Sequence, residues 1–273
     1  MKGSIMKTGI ESSVEEYVKA CRNLDGGYAF TAGVDSNAQD TYYALCIFNI
    51  LEVPPPDIDR TTDWLLNFPA SDLHAPYYVD QVLVLCGIPV RTELKKFVER
   101  RLKTIWRKID TYVEVASEFD SLFMMARLIR LANIDFKADE AVAWLLGFAN
   151  PDGGFGMGGR STMASTYHAV SALIDFRSPV FNPKVERFVR SCERRDGGFA
   201  SVPSTSRPFM EDTFFGVSLL KALNRQPNFP VETINFVLGC QNANGGFARS
   251  EIGISTLEDT FFAMTILHAL GEV

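Results

Sequence analysis

Acidic pairs are the first residues in this 273-residue sequence whose types and spacing could do chemistry. Glu211-Asp212 and Glu258-Asp259 stand in two nearly identical stretches, "EDTFFGVSLL" and "EDTFFAMTIL". A buried pair of carboxyl groups can keep one of them protonated near neutral pH, as a general acid requires. Asp212 and Asp259 are therefore candidate catalytic residues. The alternative is that each residue caps the helix that begins there.

Arginines form a second group with chemical potential. Arg160, Arg207 and Arg249 lie in polar stretches, and the first two precede the start of an apolar run, at Ser165 and Asp212, by five residues. A guanidinium matches phosphate oxygens through paired hydrogen bonds, and nearby helix N-termini also favour anions. The three arginines are candidate ligands of a diphosphate. The alternative is that they are solvated loop residues.

His168 stands three residues after the start of one apolar run, where comparable runs carry large apolar or aromatic residues. Side chains at this position would ring a central cavity. The expected cavity residues are Tyr43, Phe123, His168, Phe215 and Phe262, with Leu83 at the same place in a further unit. His168 is accordingly a third catalytic candidate, or else a hydrogen-bonded core residue.

These positions recur because the chain is a repeat. Four turns with a Gly-Gly pair followed by an aromatic residue begin at Asp25, Asp152, Asp196 and Asn244. The last three are 44 and 48 residues apart, and the first gap of 127 residues fits three units of about 42. Two units without the glycines, opening apolar runs at acidic residues, fill the gap. Six units follow, near 14–52, 60–88, 94–133, 139–176, 184–224 and 231–272.

Each unit contains two segments of different character. "VERFVRSCERR" has apolar residues at helical spacing on one face, whereas "TFFAMTILHAL" is apolar nearly all round. Six helices with one wet face around six buried helices predict an all-α fold, a closed (α/α)6 toroid forming a single domain over 1–273. We expect the glycines to adopt positive φ where the outer helix ends and the aromatic to plug the space between units.

Composition excludes several classes of function. A net charge of −6 with ordinary charge content gives no case for nucleic-acid binding. No segment has the length of a membrane span, and the first residues lack an apolar signal-peptide core. The five cysteines are neither paired by spacing nor arranged as metal ligands. The expectation is a reduced, cytoplasmic protein.

The repeat, as in "VLGCQNANGGFARSEIGISTLEDTFFAMTILHALGE", resembles those of protein prenyltransferase β subunits and of squalene and terpene cyclases. The resemblance runs from about Val14 to the end of the chain. It implies a barrel whose aromatic-lined centre holds an isoprenoid chain, with chemistry at the mouth where the inner helices begin. For a prenyltransferase β subunit it also implies a protein partner on a separate chain.

The resemblance further implies where catalytic groups would stand. In protein prenyltransferases an Asp-x-Cys at one inner-helix start and a His in the next unit hold zinc. Here Asp212 keeps the acidic position, but Phe214 and Phe262 replace the cysteine and the histidine. One frame back, Asp120 and His168 fit, but the cysteine is again missing. The Asp-x-Asp-Asp of the cyclases is also absent, so we predict no zinc and no other cofactor.

Two hypotheses remain open. The first is a prenyltransferase-like protein that binds an isoprenoid, as a diphosphate or a polyprene, and that would be a prenyltransferase or a terpene-cyclase-type enzyme if it is active. It depends on the repeat, the aromatic cavity positions and the loop arginines. The second is a non-catalytic protein-interaction toroid whose centre is filled by its own side chains, which the missing catalytic signatures favour.

Overall fold

A computed structural model describes residues 9–31, 33–69, 72–102, 115–178, 183–203, 205 and 207–273 of the protein. Its α-helices alternate between an outer and an inner position. The outer helices are α1 (Gly9–Ala20), α3 (Ile58–Leu66), α5 (Thr92–Leu102), α7 (Asp139–Leu146), α9 (Pro183–Cys192) and α11 (Pro230–Gly239). The inner helices are α2 (Ala38–Ile50), α4 (His74–Leu85), α6 (Val115–Leu131), α8 (Met163–Asp175), α10 (Met210–Ala222) and α12 (Leu257–Leu270). A 3-10 turn at Met157–Gly159 and a short antiparallel pair, β1 (Phe247–Ala248) with β2 (Ser255–Thr256), complete the elements.

Burial separates the two sets of helices as the sequence pattern predicts. In α9 the apolar residues Val185, Phe188, Val189 and Cys192 are buried, while the charged residues between them stay at least partly exposed. In α10 most residues are buried on every side. Within the described residues no helix has both the length and the apolar character needed to cross a membrane.

The six inner helices form a closed ring. Each packs against the next in chain order, from α2 through α4, α6, α8 and α10 to α12, and α12 packs back against α2. The outer layer closes as well, because the Gln241 side-chain amide donates a hydrogen bond to Ser13 Oγ at 3.1 Å. The prediction of an all-α, closed (α/α)6 toroid is confirmed.

Each of the four Gly-Gly turns joins its unit to the next one in the ring. Gly245 has φ +90°, and a Cβ placed on it would lie 2.2 Å from the backbone oxygen of Ser13 in α1. The turn of the last unit therefore rests directly on the first outer helix, and only a glycine permits so close an approach. The first glycines of the other three turns make the same approach to Arg60, Lys184 and Glu232.

The aromatic residue after each glycine pair is held by a threonine of the inner helix. The Phe247 N–H donates to Thr260 Oγ1 at 3.0 Å, and that hydroxyl donates to the Thr256 carbonyl at 2.6 Å. Phe247 is fully buried, so its backbone N–H needs this acceptor. The same arrangement recurs in three other units, in the pairs Tyr28–Thr41, Phe155–Thr166 and Phe199–Thr213.

The helix caps differ from the prediction. In the alternative role Asp259 caps its inner helix, but the N-cap of α12 is Thr256, three residues earlier, and that of α2 is Asn37. The Asp259 backbone N–H donates to Thr256 Oγ1 at 2.9 Å. The same hydroxyl donates to the Asp259 carboxylate at 2.7 Å. The reason is geometric, because an extended residue before the helix can reach the N–H three positions on.

The two units without glycines are also in a different phase from the prediction. Asp80 and Asp120 were expected to open inner helices, but α4 begins at His74 and α6 at Val115, so both lie within their helices. Asp80 is buried and forms a two-point ion pair with Arg91, with both contacts at 2.7 Å. As a result Leu83 packs in the core rather than in the cavity wall.

Candidate functional site

A cavity of about 450 Å³ lies at the centre of the ring, lined by residues of all six inner helices. Its main feature, here called the aromatic belt, consists of Tyr42, Tyr43, Tyr77, Tyr78, Phe123, Tyr167, His168, Phe214, Phe215, Phe261 and Phe262. About one turn towards the helix N-termini the lining changes to polar side chains, here called the N-terminal layer: Gln39, His74, Asp120 and Glu258. One turn beyond the belt on the other side lie Gln81 and Arg127.

The rings of the aromatic belt contact one another around the cavity. Phe214 of α10 stacks on Phe262 of α12, with centroids 4.4 Å apart and an interplanar angle of 19°. Tyr167 of α8 stacks on Phe215 at 4.5 Å. Every ring contact between inner helices that the described residues show joins neighbouring helices of the ring. The ring contacts therefore follow the wall of the cavity.

The structure brings the predicted cavity residues together. Tyr43, Phe123, His168, Phe215 and Phe262 all lie in the aromatic belt. Sequence reasoning missed their aromatic neighbours in the belt, such as Tyr42 and Phe261. The signal was present, because aromatic residues stand side by side in most of the apolar runs. Residues i+3 and i+4 lie on the same face of a helix as residue i. Two adjacent aromatic residues at these positions can therefore both line the cavity.

Two carboxyl groups lie in the N-terminal layer. Glu258 accepts hydrogen bonds from the Tyr43 hydroxyl at 2.7 Å and the Gln39 amide at 3.4 Å, and burial raises the pKa of Glu258. Asp120 lies beside two imidazoles, with His168 Nε2 at 3.7 Å and His74 Nε2 at 4.0 Å. Burial lowers the pKa of His168 although the Asp120 charge acts to raise it.

Of the lining residues that the structure describes, Arg127 is the one that carries a permanent positive charge. Its Nε lies 3.0 Å from Asp175 Oδ2, and its guanidinium carbon lies 5.6 Å from the Phe123 ring centroid. Arg130 lies 3.0 Å from the other oxygen of Asp175, whose carboxylate is buried. Arg127 and Arg130 therefore share one carboxylate.

Only one of the three catalytic candidates lines the cavity. His168 lines the cavity, whereas Asp212 and Asp259 are buried outside its lining. Burial raises the pKa of Asp212 to about 7 and that of Asp259 to about 6. Both carboxyls can therefore hold a proton near neutral pH, but neither can pass it to a molecule in the cavity from where it lies. The acidic residue of these pairs that lines the cavity is Glu258.

The loop arginines do not line the central cavity. Arg249 forms a two-point ion pair with Glu211, with Nε at 2.7 Å from Oε2, and its guanidinium lies 4.3 Å above the Phe209 ring. Arg160 is exposed on its loop. Arg207 is exposed in a separate surface groove beside Phe236. A role of these arginines as ligands of a diphosphate stays a prediction, and the described structure does not place them in the cavity lining.

The residues present do not fit a zinc ion of the prenyltransferase type. Phe214 and Phe262, at the expected cysteine and histidine positions, are stacked on each other, and a phenyl ring is no metal ligand. Asp212 lies outside the cavity lining. Among the described residues there is no group of three or more His, Cys, Asp or Glu side chains that could hold a metal ion. The absence of a cofactor stays a prediction.

Comparison with known proteins places the chain in a family. No curated protein matches the sequence. Among solved structures, it is similar to Candida albicans protein geranylgeranyltransferase-I complexed with GGPP, with 19% identity and a TM-score of 0.49. The similarity covers 63% of this chain and 59% of that one, so the chain matches about three fifths of that chain's length.

A family model for the prenyltransferase alpha-alpha toroid domain matches residues 4–71 and 96–273. The interval between the two matched segments contains α4, the inner helix of a unit without the Gly-Gly turn. Because the matched segments cover most of the sequence, the chain belongs to the prenyltransferase alpha-alpha toroid family.

Proposed function

We propose that the protein binds an isoprenoid chain in its central cavity. The observation that carries the proposal is the aromatic belt, whose rings contact one another around an open space of about 450 Å³. Ligand cavities commonly measure about 300–1,000 Å³ and are mostly apolar with a few polar groups. The aromatic belt and the N-terminal layer together have this composition.

The physical basis of binding is the transfer of an apolar chain from water to the aromatic wall. Burial contributes roughly 0.8 kcal/mol per CH₂, so a chain of about fifteen carbons binds without needing a catalytic group. Phe214, Phe215 and Phe262 are at most 9% exposed, which means that the wall is preformed and needs little reordering.

The alternative, a protein-interaction toroid with a filled centre, fits this geometry less well. A filled centre needs side chains that meet across the ring, whereas the ring contacts among the described residues run between neighbouring helices. The diphosphate form of the ligand also has less support than the chain, since Arg160, Arg207 and Arg249 lie outside the cavity lining. A protein partner on a separate chain stays a prediction.

A blocked cavity tests the proposal. In α4, Gln81 lines the cavity whereas Val84 of the same helix is exposed. Calorimetric titration of farnesol, below its aggregation limit, should show binding to the wild type and to Val84→Trp. Gln81→Trp should bind at least about tenfold more weakly, since an indole occupies the space of the ligand. Native mass spectrometry of the purified protein should also show a bound lipid of this class.

Two outcomes contradict the proposal. If neither farnesol nor geranylgeraniol gives heat with a protein shown to be folded by circular dichroism, the filled-centre alternative gains support. If Gln81→Trp and Val84→Trp bind equally well, the ligand lies outside the central cavity. A thermal melt of both variants excludes loss of folding as the cause of weaker binding.

A further inference from the structure

The charged groups of the N-terminal layer favour a cation over an anion. Asp120 and Glu258 bring two carboxyl groups to the lining, and Arg127 is the permanently positive lining residue within the described ranges. Arg127 shares the Asp175 carboxylate with Arg130 and lies on the other side of the aromatic belt from the N-terminal layer. Asp120 and Glu258 have polar neighbours but no Lys or Arg partner among the described contacts. A diphosphate in the N-terminal layer would therefore meet carboxylates rather than guanidinium groups.

The two carboxyl groups lie on opposite sides of the ring. Asp120 is on α6 and Glu258 on α12, and these helices are three places apart in a ring of six. Both residues belong to the N-terminal layer, one helical turn from the aromatic belt. A positive group at the centre of this layer would face a carboxylate on each side. A chain attached to it would extend along the belt.

The aromatic belt also suits a cation. The faces of tyrosine and phenylalanine rings attract ammonium and guanidinium groups, and cages of such rings recognise alkylated ammonium ions. The belt already accepts one cation, since the Arg127 guanidinium lies over the Phe123 ring at 5.6 Å. Tyr42, Tyr43 and Tyr78 contact one another at the side of the belt nearest Gln39 and Glu258.

We infer that the cavity takes an amphiphile with a cationic amine head, held between Asp120 and Glu258, and an isoprenoid-like chain against the aromatic belt. This inference rests on the proposed function, because the chain supplies the apolar contacts. It differs from the family resemblance, which implies a diphosphate head. The ligand class is thus set by the N-terminal layer and not by the loop arginines.

Three ligands with the same chain separate the head group from the chain. Farnesylamine, farnesol and farnesyl diphosphate are titrated calorimetrically into the wild type at low ionic strength, each below its micelle-forming concentration. The amine should bind at least about tenfold more tightly than the alcohol, and the diphosphate more weakly than the alcohol. The preference for the amine should shrink as salt is added, because the layer is partly open to solvent.

The outcomes are distinguishable. Equal affinities for the three ligands, or tightest binding of the diphosphate, overturn the inference and leave the proposed function standing. No heat with any of the three, in a protein shown to be folded, overturns the proposed function and the inference together. Binding of the alcohol alone supports the proposed function and overturns the inference.

Charge-removing variants locate the head group. Glu258→Gln and Asp120→Asn should each weaken farnesylamine binding by about fivefold to tenfold while leaving farnesol affinity unchanged. Glu232→Gln, an exposed change of the same kind in α11, is the matched control and should alter neither ligand. If both cavity variants bind the amine as the wild type does, the carboxylates do not hold the head and the inference is wrong.

Discussion

Asp40, Asp212 and Asp259 lie near the starts of α2, α10 and α12, and they differ in the hydrogen bonds that their carboxyl groups accept. Asp40 accepts hydrogen bonds from the Asn37 amide at 2.7 Å and the Phe30 N–H at 3.0 Å, and Asp259 accepts one from Thr256. In α10 the N-cap is Phe209, whose side chain makes no capping hydrogen bond. Asp212 is buried and has no comparable donor among the residues that the structure describes, and burial raises its pKa to about 7.

This difference predicts how stability depends on pH. The ordinary pKa of Asp212 is 3.8 and its folded pKa is about 7. Between these values the folded state holds a proton that the unfolded state has released, so the free energy of unfolding falls as pH rises through the window. Asp212→Asn removes the titration. Relative to the wild type, the variant should gain stability between about pH 4 and pH 7, by about 4 kcal/mol.

Urea unfolding at a series of pH values measures this gain. The lowered pKa of His168 acts in the opposite direction below about pH 6.5, but both proteins share it, so it cancels in the comparison. Glu16→Gln, an exposed change of the same charge, is the control and should leave the pH profile unaltered. A constant difference between Asp212→Asn and the wild type across the range would contradict the assignment.

At the scale of elements, the Gly-Gly turn joins neighbouring helix pairs through two contacts. The first glycine lets the turn approach the backbone of the next outer helix, and the second faces an aromatic side chain there. At the last turn these neighbours are Ser13 and Tyr17 of α1. The aromatic residue after the glycines then bonds through its N–H to the threonine of its own inner helix. The turn thereby fixes an outer helix and an inner helix at once.

The turn predicts a difference between two glycines of similar backbone conformation. Gly245 (φ +90°) and Gly87 (φ +83°) both have left-handed backbone conformations. A Cβ added at Gly245 would collide with the Ser13 backbone, whereas a Cβ added at Gly87 would point into open space. Gly87→Ala should cost about 1 kcal/mol from backbone strain alone. Gly245→Ala should cost more than about 3 kcal/mol, since the collision with a backbone oxygen forces the units apart. Equal losses in urea unfolding would show that conformation alone matters.

At the scale of the whole molecule, closure removes the exposed end that an open array of repeats would have. The helices α12 and α2 pack together, and the last turn rests on α1. In a repeat array the stability of each unit depends on its neighbours. In the closed ring the first unit has a neighbour on both sides.

Closure predicts the pattern of amide hydrogen exchange. Backbone amides in the middle of α1, the first outer helix, should exchange as slowly as those of α9, which lies between two other units. Gly245→Ala should raise exchange in α1 more than in α7, because only α1 rests on that turn. Mass spectrometry of the exchanged protein reports both. Rapid exchange throughout α1 in the wild type would contradict a closed ring.

The sequence by itself determined the features that follow from local spacing. The spacing of apolar residues distinguished the outer helices from the inner ones. The recurring glycine pairs identified the units that contain a Gly-Gly turn. The five predicted cavity residues, such as Tyr43 and Phe262, lie together because equivalent positions in a ring of repeats face the same centre. Where the turns are absent, around Asp80 and Asp120, the predicted phase was wrong, although Asp72, which accepts the Ala75 N–H, and Pro76 mark the start of α4.

Only the tertiary structure decided which charged group faces the cavity. Adjacent residues on a helix point about 100° apart, so Glu258 lines the cavity while Asp259, one residue later, packs behind it. That choice depends on the position of the N-cap at Thr256 and on how the helix docks. The partners also come from distant parts of the chain: Tyr43 donates to Glu258 and Arg249 pairs with Glu211. No local pattern encodes such pairings, because they arise only when the ring brings separate units together.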